Sequence, residues 1–444
     1  MASQLEASLS KFLSWLSTMR TEQGYWGPVT HYWQDCFQYL GVSPDWKYEG
    51  LIAGFLQLYE KTGKEEYLQQ ATRCGQDILQ TQGSNGCFFN SHFENNPSLY
   101  QGSTPHEAAA CIGLLLLADA LRRNNLAWQP YFTAVKKNLE QYHMKVLYDS
   151  QAKTFLQDKH DEKHYHVPNK IATIVELLYL YTDFTNDKKY LPIIQDSVNY
   201  IISLQAQEQF PGAIYQTEAK KQIITFYVAR CIPSLFLHYQ RSGYEPALSA
   251  ALAAREFILT MKLKEGGFAF GYLLDNNGTW QKYTYPVFIA GAGDILRALF
   301  LLRDHAPFNV EDIRWLLLQQ HVNGSFPTSL GMAAKNTPAE IVSEKSWKDV
   351  LPVVGWNDKT FRFLTMVLKQ NATLEPSTFS FIEIPCKDGV YSEDQTLMKI
   401  EGQYTFTKGQ TFRTSTGSKN FYLNLGKIFK SRFMARALRR LLRV

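Results

Sequence analysis

The sequence predicts an all-α protein in which about twelve antiparallel helices form a ring, with a small β-rich addition and a basic amphipathic helix at the C-terminus. Three observations predict this fold class. Apolar residues recur with a helical period over residues 1–370. The successive segments alternate between amphipathic and almost wholly apolar. The connections between the segments alternate between long and short.

The helical period covers twelve segments, at roughly 3–20, 46–62, 64–82, 105–123, 128–146, 168–184, 187–206, 221–241, 244–263, 286–304, 309–321 and 347–370. Segments 64–82, 187–206 and 244–263 carry one apolar stripe and one polar face, which is typical of outer helices. Segments 105–123 and 286–304 are apolar nearly all round, as inner helices should be. The alternation therefore predicts an inner and an outer layer of helices.

The long connections share a glycine close to an aromatic residue, and the connection after the fifth helix lacks this pair. The pairs are Gly24–Trp26, Gly86–Phe88, Phe210–Gly212, Gly266–Phe268 and Gly324–Phe326. Each follows a helix end that contains Gln or Lys, namely Gln23, Gln82, Gln207, Lys264 and Gln320. Most of the other connections are short, at 62–64, 185–187 and 242–243. Long loops on one rim make that rim the expected functional face.

The run Tyr48-Glu-Gly-Leu-Ile-Ala, followed by Leu58-Tyr-Glu-Lys-Thr-Gly-Lys-Glu-Glu-Tyr67-Leu, resembles the hairpins of (α/α)6 toroids. Toroids of this kind include the N-acylglucosamine 2-epimerases, the unsaturated glucuronyl hydrolases and related glycosidases. The terpene cyclases and prenyltransferase β-chains are more distant members. The resemblance covers about 370 residues and implies an (α/α)6 toroid, but the fold does not fix a reaction.

The period of the sequence changes after the last helical segment. Residues 376–417 alternate as short strands do, so we divide the chain into a toroid at 1–370, a β-rich extension at 371–420 and a basic amphipathic helix at 421–444. The last part carries seven cations and no acid, at Lys427, Lys430, Arg432, Arg436, Arg439, Arg440 and Arg443. Because the net charge is +5, the other 420 residues carry 5 − 7 = −2. A nearly neutral body disfavours nucleic-acid binding.

The six cysteines are scattered without CxxC spacing, so we expect reduced thiols. The N-terminus lacks a basic segment followed by an unbroken apolar one, which predicts no signal peptide. The longest apolar stretch, 108–118, is far shorter than the ~20 residues of a membrane-spanning helix. These features together lead us to expect a cytoplasmic protein, which the basic helix could hold at the inner face of a membrane.

Polar residues at the starts of the inner helices should face the mouth of the ring. The acid/base candidates are Glu49, Glu107 and Asp358, because carboxylates from different hairpins could converge there for glycosidic chemistry. Asp294 and Asn357 occupy similar places. The expected substrate-binding residues are Tyr25, Trp26, Tyr48, Phe88, His106, Asn169, Lys170, Tyr227, Arg230 and Trp356, with Tyr25, Trp26 and Phe88 as stacking walls.

Each candidate also has a structural explanation. Thr104-Pro-His-Glu107 is a capping box, so Glu107 could simply cap its helix. Glu49 could be solvated or ion-paired, and Asp358 could be a cap. Lys170 and Arg230 could pair with these acids or bind an anionic substrate group. The sequence leaves these alternatives open.

The segment His160-Asp-Glu-Lys-His164-Tyr-His166 is the densest set of potential metal ligands. No further Cys or His completes a zinc spacing, so we expect a polar flap at the mouth without a bound metal, and no cofactor elsewhere. The sequence contains no DxDD, DDxxD, GxSxG or HExxH motif and no Gly-rich phosphate loop. The absence of DxDD argues against protonation-driven cyclisation of a squalene-like substrate.

The leading functional hypothesis is a carbohydrate-active enzyme, a hydrolase, lyase or epimerase that acts on a sugar or glycan in the ring. The alternatives are an isoprenoid or polyketide cyclase, in which aromatic rings shield a cation, and a non-catalytic scaffold recruited to a membrane. In the segment 421–444, Phe429, Phe433, Ala437 and Leu441 form one helical stripe flanked by cations. This pattern is typical of a helix on an anionic membrane surface, although a helix docked on the ring would look the same.

Overall fold

The computed structural model describes residues 2–21, 24–25, 27–31, 36–40, 46–88, 106–157, 165–219, 222–275, 277–321, 323–331, 352 and 354–370, and five short strands after them. Twelve α-helices lie in this described part. They are α1 (Ala2–Thr18), α2 (Lys47–Thr62), α3 (Glu65–Leu79), α4 (His106–Arg123), α5 (Gln129–Asn138), α6 (Pro168–Thr185), α7 (Leu191–Ser203), α8 (Thr225–Ser242), α9 (Glu245–Thr260), α10 (Ala292–Leu301), α11 (Glu311–Leu318) and α12 (Val354–Lys369). A π-helix, Leu139–Leu147, continues α5. The predicted twelve-helix architecture is confirmed.

The even-numbered helices form a closed inner ring. Each of α2, α4, α6, α8, α10 and α12 contacts the next one, and α12 contacts α2. The odd-numbered helices pack outside them, and most of their buried residues are apolar and face the inner ring. This is the arrangement predicted from the alternation of amphipathic and apolar segments. Among the helices that the structure describes, none is long and apolar enough to cross a membrane.

Three of the short connections on one rim are built in the same way. Helices α2, α6 and α8 each end in a hydroxyl residue followed by a residue with a left-handed backbone, at Gly63 (φ 70°), Asn186 (φ 59°) and Gly243 (φ 70°). The hydroxyl donates to the carbonyl four residues earlier and accepts from the backbone N–H two residues later. These bonds satisfy the last carbonyls of the helix and reverse the chain within two or three residues.

The long connections on the other rim repeat a different device, in which a glutamine amide joins the loop to the next outer helix. The amide Nε2 donates to a loop glycine and to that helix, from Gln82 to Gly86 and Ala134, from Gln205 to Gly212 and Ala250, and from Gln320 to Gly324 and Ser8. The last of these joins the loop after α11 to α1. The device therefore closes the outer ring.

The sequence signature named Gln207 and Lys264 at the helix ends before two of these loops, and the contacts are made by residues two positions earlier. Gln205 makes the amide contacts, since it pairs with Ile214 as the first residue of the loop. In the loop after α9 the equivalent pairing joins Lys262 to Phe268, and the Lys262 ammonium forms an ion pair with Asp312 of α11. In both loops the residue that pairs with the far side of the loop makes the contact with the next outer helix. That residue lies two positions before the one in the sequence signature.

Short strands lie in the long connections on this rim. They are β1 (Arg20–Thr21), β2 (Gly24–Tyr25), β3 (Gly27–His31), β4 (Cys36–Leu40), β5 (Tyr148–Asp149), β6 (Thr154–Phe155), β7 (Ile223–Ile224), β8 (Gly271–Leu274), β9 (Trp280–Tyr283), β10 (Val287–Phe288) and β11 (Ser329–Leu330). All pairings are antiparallel, in the orders β1–β2, β3–β4, β5–β6, β7–β8–β9 and β10–β11. Strands β7 and β10 lead into α8 and α10, so they fix where those inner helices begin.

The described strands after α12 lie in the predicted β-rich extension. They are β12 (Pro385–Cys386), β13 (Gly389–Val390), β14 (Leu397–Ile400), β15 (Tyr404–Thr407) and β16 (Arg413–Thr414). They pair antiparallel as β12–β13 and β14–β15–β16. The predicted amphipathic helix at 421–444 lies outside the described residues.

Candidate active site

Charged side chains from the inner helices meet on the axis of the ring. The Nη2 atom of Arg230 in α8 lies 2.9 and 3.1 Å from the two carboxylate oxygens of Glu49 in α2. Helices α2 and α8 are opposite each other in the ring of six, so an ion pair between them must cross its centre. Glu49 is only 2% exposed. The interior at this level is therefore occupied by the protein's own charges.

Arg362 of α12 extends this ion pair to a third and a fourth helix. Its guanidinium donates to Glu49 through Nη1 and to Asp294 of α10 through Nη2, the latter at 2.6 Å. Glu49 therefore accepts from two guanidinium groups. Burial favours the neutral form of the Glu49 carboxyl, but Arg230 and Arg362 hold its pKa well below its usual range. Glu49 is consequently ionised at neutral pH.

A further pair completes the connection to α6. The Nη2 atom of Arg297 in α10 lies 3.1 Å from Oε2 of Glu176 in α6, and the other oxygen of Glu176 lies 3.7 Å from Arg230. The Arg230 Nε–H also donates to the hydroxyl of Thr173 at 3.2 Å. We call the connected residues the axial network. They are Glu49, Thr173, Glu176, Arg230, Asp294, Arg297 and Arg362.

Asp358 lies beside the axial network, one turn before Arg362 in α12. Its side chain is fully buried, and its Oδ2 accepts a hydrogen bond from Lys359 at 2.7 Å. The other oxygen, Oδ1, is buried without a hydrogen-bond partner. The carboxyl packs against the backbone of α2 at Gly50, where a methyl group would come within 2.3 Å of Oδ2. This glycine therefore allows the carboxyl to sit between the two helices.

Burial dominates the protonation of Asp358. Removal from water raises its pKa to about 8, and the nearby Lys359 and Arg362 only partly oppose the shift. The pKa of Asp294 moves the other way, because the cations Arg362 and Lys359 outweigh the effect of burial. The pKa values of two neighbouring carboxyls, Asp358 and Asp294, are thus shifted in opposite directions. Such an arrangement lets one carboxyl donate a proton while the other stays ionised.

Glu107 belongs to a second cluster, between α4, α5 and the loop after α3. The backbone N–H of Phe88 lies 3.1 and 3.0 Å from its two carboxylate oxygens, and the Asn138 amide also donates to it. Asn357 makes the equivalent contacts at the start of α12, with the backbone N–H and carbonyl of Phe326 at 2.8 and 2.9 Å. The repeat of this device shows that the position ties a Gly-x-Phe loop to an inner helix.

Glu107 should make the stability of the protein depend on pH. Burial raises its pKa to about 8, although the Phe88 N–H and Asn138 favour the ionised form. An unfolded glutamate titrates near 4.3, so between about pH 4.5 and 8 the folded state keeps a proton that the unfolded state has released. The free energy of unfolding should therefore fall as the pH rises through this window, by up to about 1.4 kcal/mol per unit. The raised pKa of Asp358 should lower the free energy of unfolding over the same pH range.

Urea unfolding between pH 5 and pH 8.5 measures this slope. We expect Glu107→Gln to make the slope shallower, because an amide cannot lose the proton, and Glu66→Gln on the exposed face of α3 to leave it unchanged. A free energy of unfolding that rises over this range, or a slope that Glu107→Gln does not alter, would show that Glu107 is ionised in the folded protein.

Several residues predicted to bind substrate are buried. Tyr25 is 3% exposed and Phe88 is 1% exposed, and both rings pack in the main core. Neither ring therefore offers an exposed face for stacking in this arrangement. The hydroxyl of Tyr48 donates to Asp77 at 2.9 Å and lies 3.2 Å from the backbone N of Tyr25. Tyr48 thereby joins α2 to α3 and to β2.

The other predicted residues lie closer to the mouth or outside the described set. Asn169 is 9% exposed, and the Lys170 ammonium lies 3.3 Å from Oε1 of Gln157. Trp26 and the side chain of His106 lie outside the described residues. Tyr227 and Trp356 are partly exposed at the starts of α8 and α12. Of the predicted residues, therefore, Glu49 and Arg230 meet at the axis and Asp358 lies beside the axial network, and Tyr227 and Trp356 lie nearer the starts of α8 and α12.

The histidine-rich segment is described only at its end. Nε2 of His166 lies 3.1 Å from Oδ2 of Asp149, and its ring contacts Tyr200 edge-on. His160 and His164 lie outside the described residues, so the expectation of a flap there stays a prediction. Within the described ranges, no group of three or more His, Cys, Asp or Glu side chains is placed to hold a metal ion.

The sequence reasoning missed four of the charged residues, namely Glu176, Arg297, Lys359 and Arg362. Each lies more than one turn beyond the start of an inner helix. A usable signal was present. Asp294 and Arg297, like Lys359 and Arg362, are charged pairs three residues apart in largely apolar helices. Charges that share one face of such a helix need partners in the interior.

The comparisons with known proteins agree with this architecture. No family model matches the sequence, and no curated protein matches it. Among solved structures, the chain is similar to a sugar epimerase from a ruminal bacterium, with a TM-score of 0.61 and 11% identity over 84% of this chain and 100% of that chain. It is also similar to an unsaturated glucuronyl hydrolase specific for heparin (TM-score 0.60, 10% identity, 84% and 99% covered). A D-mannose isomerase gives a TM-score of 0.58 at 15% identity (82% and 97% covered).

At these identities the similarity concerns the fold. The chain is an (α/α)6 toroid, as the resemblance in its sequence implied.

Proposed function

We propose that this protein is a carbohydrate-active enzyme that binds a sugar above the axial network. The observation that carries the proposal is the arrangement at the mouth, where partly exposed aromatic rings lie over buried charged groups from several inner helices. Sugars offer an apolar ring face and several hydroxyls, so they suit a site with both kinds of surface. The similar toroids named above, all of which act on sugars by their names, support the same class.

Asp358 is the group that we assign to proton transfer. It is buried, it holds its proton near neutral pH, and its Oδ1 lacks a hydrogen-bond partner. Asp294 stays ionised beside the cations and would stabilise positive charge that develops on the substrate. Hydrolysis, elimination and epimerisation of a sugar all require a proton to be given or taken at one position. This assignment therefore fits each of the three reaction types.

The charges on the axis argue against the cyclase alternative. A cyclase shields its carbocation in a dry cavity lined by aromatic faces, whereas here the axis of the ring is occupied by three arginines paired with three carboxylates. We therefore favour the carbohydrate-active enzyme over the cyclase. A non-catalytic scaffold is the remaining alternative, and the following experiment separates it from an enzyme.

The test is a panel of neutral, N-acetylated and uronic-acid mono- and disaccharides incubated with the protein in D₂O. Proton NMR would show a new epimer with deuterium at one ring carbon, whereas a hydrolase would release reducing ends. A lyase would produce an unsaturated sugar that absorbs in the ultraviolet. We expect one of these three products. If no sugar reacts and none raises the melting temperature, the protein is better explained as a scaffold.

Residues 421–444 carry a separate prediction, which rests on the sequence. If their apolar stripe and seven cations bind an anionic membrane surface, each cation contributes up to ~1 kcal/mol and salt should release the protein. We expect the full chain to pellet with anionic vesicles at low salt, and a shortened chain ending at Asn420 to stay in the supernatant. Neutral vesicles are the control. Equal pelleting of both chains with anionic vesicles would mean that the segment packs as an ordinary helix.

A further inference from the structure

Aromatic and charged residues are paired along three inner helices. Trp46 precedes Glu49, Tyr227 precedes Arg230 and Trp356 precedes Lys359, in each case by three residues. Residues three apart lie on the same face of a helix, and the rise of about 1.5 Å per residue separates them by roughly 4.5 Å along the axis. The mouth therefore has two layers, with the aromatic residues on the outside and the charged residues one turn deeper.

The outer layer is one connected set of rings. Trp356 lies 6.0 Å from Trp46, 5.0 Å from Phe288 and 5.9 Å from Phe226 between ring centroids, and Phe226 lies 5.1 Å from Phe288 and 4.5 Å from Tyr227. We call these five residues the rim aromatics. Because they come from the starts of α2, α8 and α12 and from β10 before α10, they border the mouth along four of the six inner helices.

These rings lie at the edge of the core. Phe288 is buried in a small apolar cluster of its own, against Phe226, Phe270 and Trp356, and Phe226 and Trp356 also pack against the main core. The rings of Trp46, Phe226, Tyr227 and Trp356 all remain partly exposed. Gly291 leaves room for the Trp356 ring, since a methyl group there would approach it to 3.0 Å. The fold thus keeps aromatic faces accessible where burying them would be favourable.

The axial network limits how deep a ligand can go. The ion pair between Glu49 and Arg230 crosses the ring from one inner helix to the opposite one. A sugar that contacts Asp358 or Asp294 therefore lies directly on this pair and beneath the rim aromatics. Any second ring that is attached to that sugar has to extend outward into the aromatic layer.

We propose that the rim aromatics form a second subsite that takes the next sugar ring of a glycan. The substrate is then an oligosaccharide of two or more rings, with its terminal sugar at the charged layer, and not a free monosaccharide. This inference rests on the proposed function, because it assumes that a sugar occupies the charged layer.

The test compares a methyl monosaccharide with the disaccharide that ends in the same sugar, by isothermal titration calorimetry. The sugar is the one that the panel identifies. We expect the disaccharide to bind about two- to tenfold more tightly, as one stacked ring should give. Trp356→Ala should weaken binding of the disaccharide more than binding of the monosaccharide, so that this gain is lost. Phe226→Leu, which keeps apolar packing but removes an aromatic face, should reduce the gain without loss of the fold.

Trp280→Ala is the matched control. Trp280 lies on the β8–β9 hairpin, where it contacts Phe210 edge-on and stacks against Tyr215. Neither ring is a rim aromatic, so the gain should persist. Equal affinities for the two ligands in the wild-type protein would overturn the second subsite and leave the proposed function intact. The same conclusion would follow if Trp356→Ala weakened both ligands equally. If no sugar bound at all, both proposals would fall together.

Discussion

Glu49→Gln should lower the free energy of unfolding by roughly 3–5 kcal/mol, the cost of removing one partner from a buried ion pair. The Glu49 carboxylate is the common acceptor of Arg230 and Arg362 on the ring axis. A neutral amide would leave two buried guanidinium groups with too few anions, and neither can lose its proton. The loss is measured from urea or thermal unfolding at neutral pH.

An exposed ion pair provides the control for Glu49. Asp183 and Arg241 pair on the surface with side chains 41% and 51% exposed, so Asp183→Asn should cost less than about 1 kcal/mol. The double variant Glu49→Gln with Arg230→Gln should lose less than the sum of its single changes, because the two residues share one interaction. A cost below about 1 kcal/mol for Glu49→Gln would mean that water, and not the protein, balances the two guanidinium groups.

Asp358→Asn should lower turnover of the identified sugar by about 10²–10⁴-fold, the usual contribution of a positioned proton donor or acceptor. Asparagine has the same size, and its carbonyl can still accept from Lys359. Because Asp358 holds its proton up to about pH 8, the change removes a proton and not a charge. The fold should therefore survive, which makes the kinetic effect interpretable.

The pH profile distinguishes catalysis by Asp358 from a structural role. If Asp358 donates the proton, the wild-type kcat/KM should fall above about pH 8, and the residual activity of Asp358→Asn should lack this limb. Glu107→Gln is the matched control, since Glu107 is another buried carboxyl with a raised pKa but binds the Phe88 loop. Its turnover should stay within about threefold of wild type. Equal losses in both variants would indicate a general effect of changing buried carboxyls.

The helical ring could be predicted from the sequence because its signals are local. Hydrophobic period, helix ends and the Thr-Gly and Ser-Gly turns each lie within a few residues of one another, and they identified the twelve helices of the described residues. The axial network could not be predicted in the same way. Arg230 is 181 residues from Glu49, and Arg362 is 313 residues from it. Nothing near Glu49 in the chain reveals which cations it will meet.

Three candidate residues have side chains that contact the protein itself, for one shared reason. Tyr25 and Phe88 follow glycines in long loops, which made exposed stacking positions plausible, but the loops fold back and bury both rings. Glu107 was correctly placed at the start of an inner helix, yet its side chain binds the loop before it. A position at the rim predicts that a residue is near the mouth. The direction of its side chain depends on contacts that only the folded chain supplies.

The amide of Gln320 has a consequence for how the molecule comes apart. Its bond to the Ser8 carbonyl joins residues 312 positions apart in the chain, so within the described helices the ring has no terminal hairpin in the sense of a linear repeat array. A linear array can fray from its ends, because each end repeat has only one neighbour. In the closed ring every hairpin is held on both sides, and opening it means separating two interfaces at once. Closure also brings α1 into contact with α12. This contact closes a longer stretch of chain than the contacts between neighbouring inner helices, so it has a larger entropic cost and is expected to form late in folding.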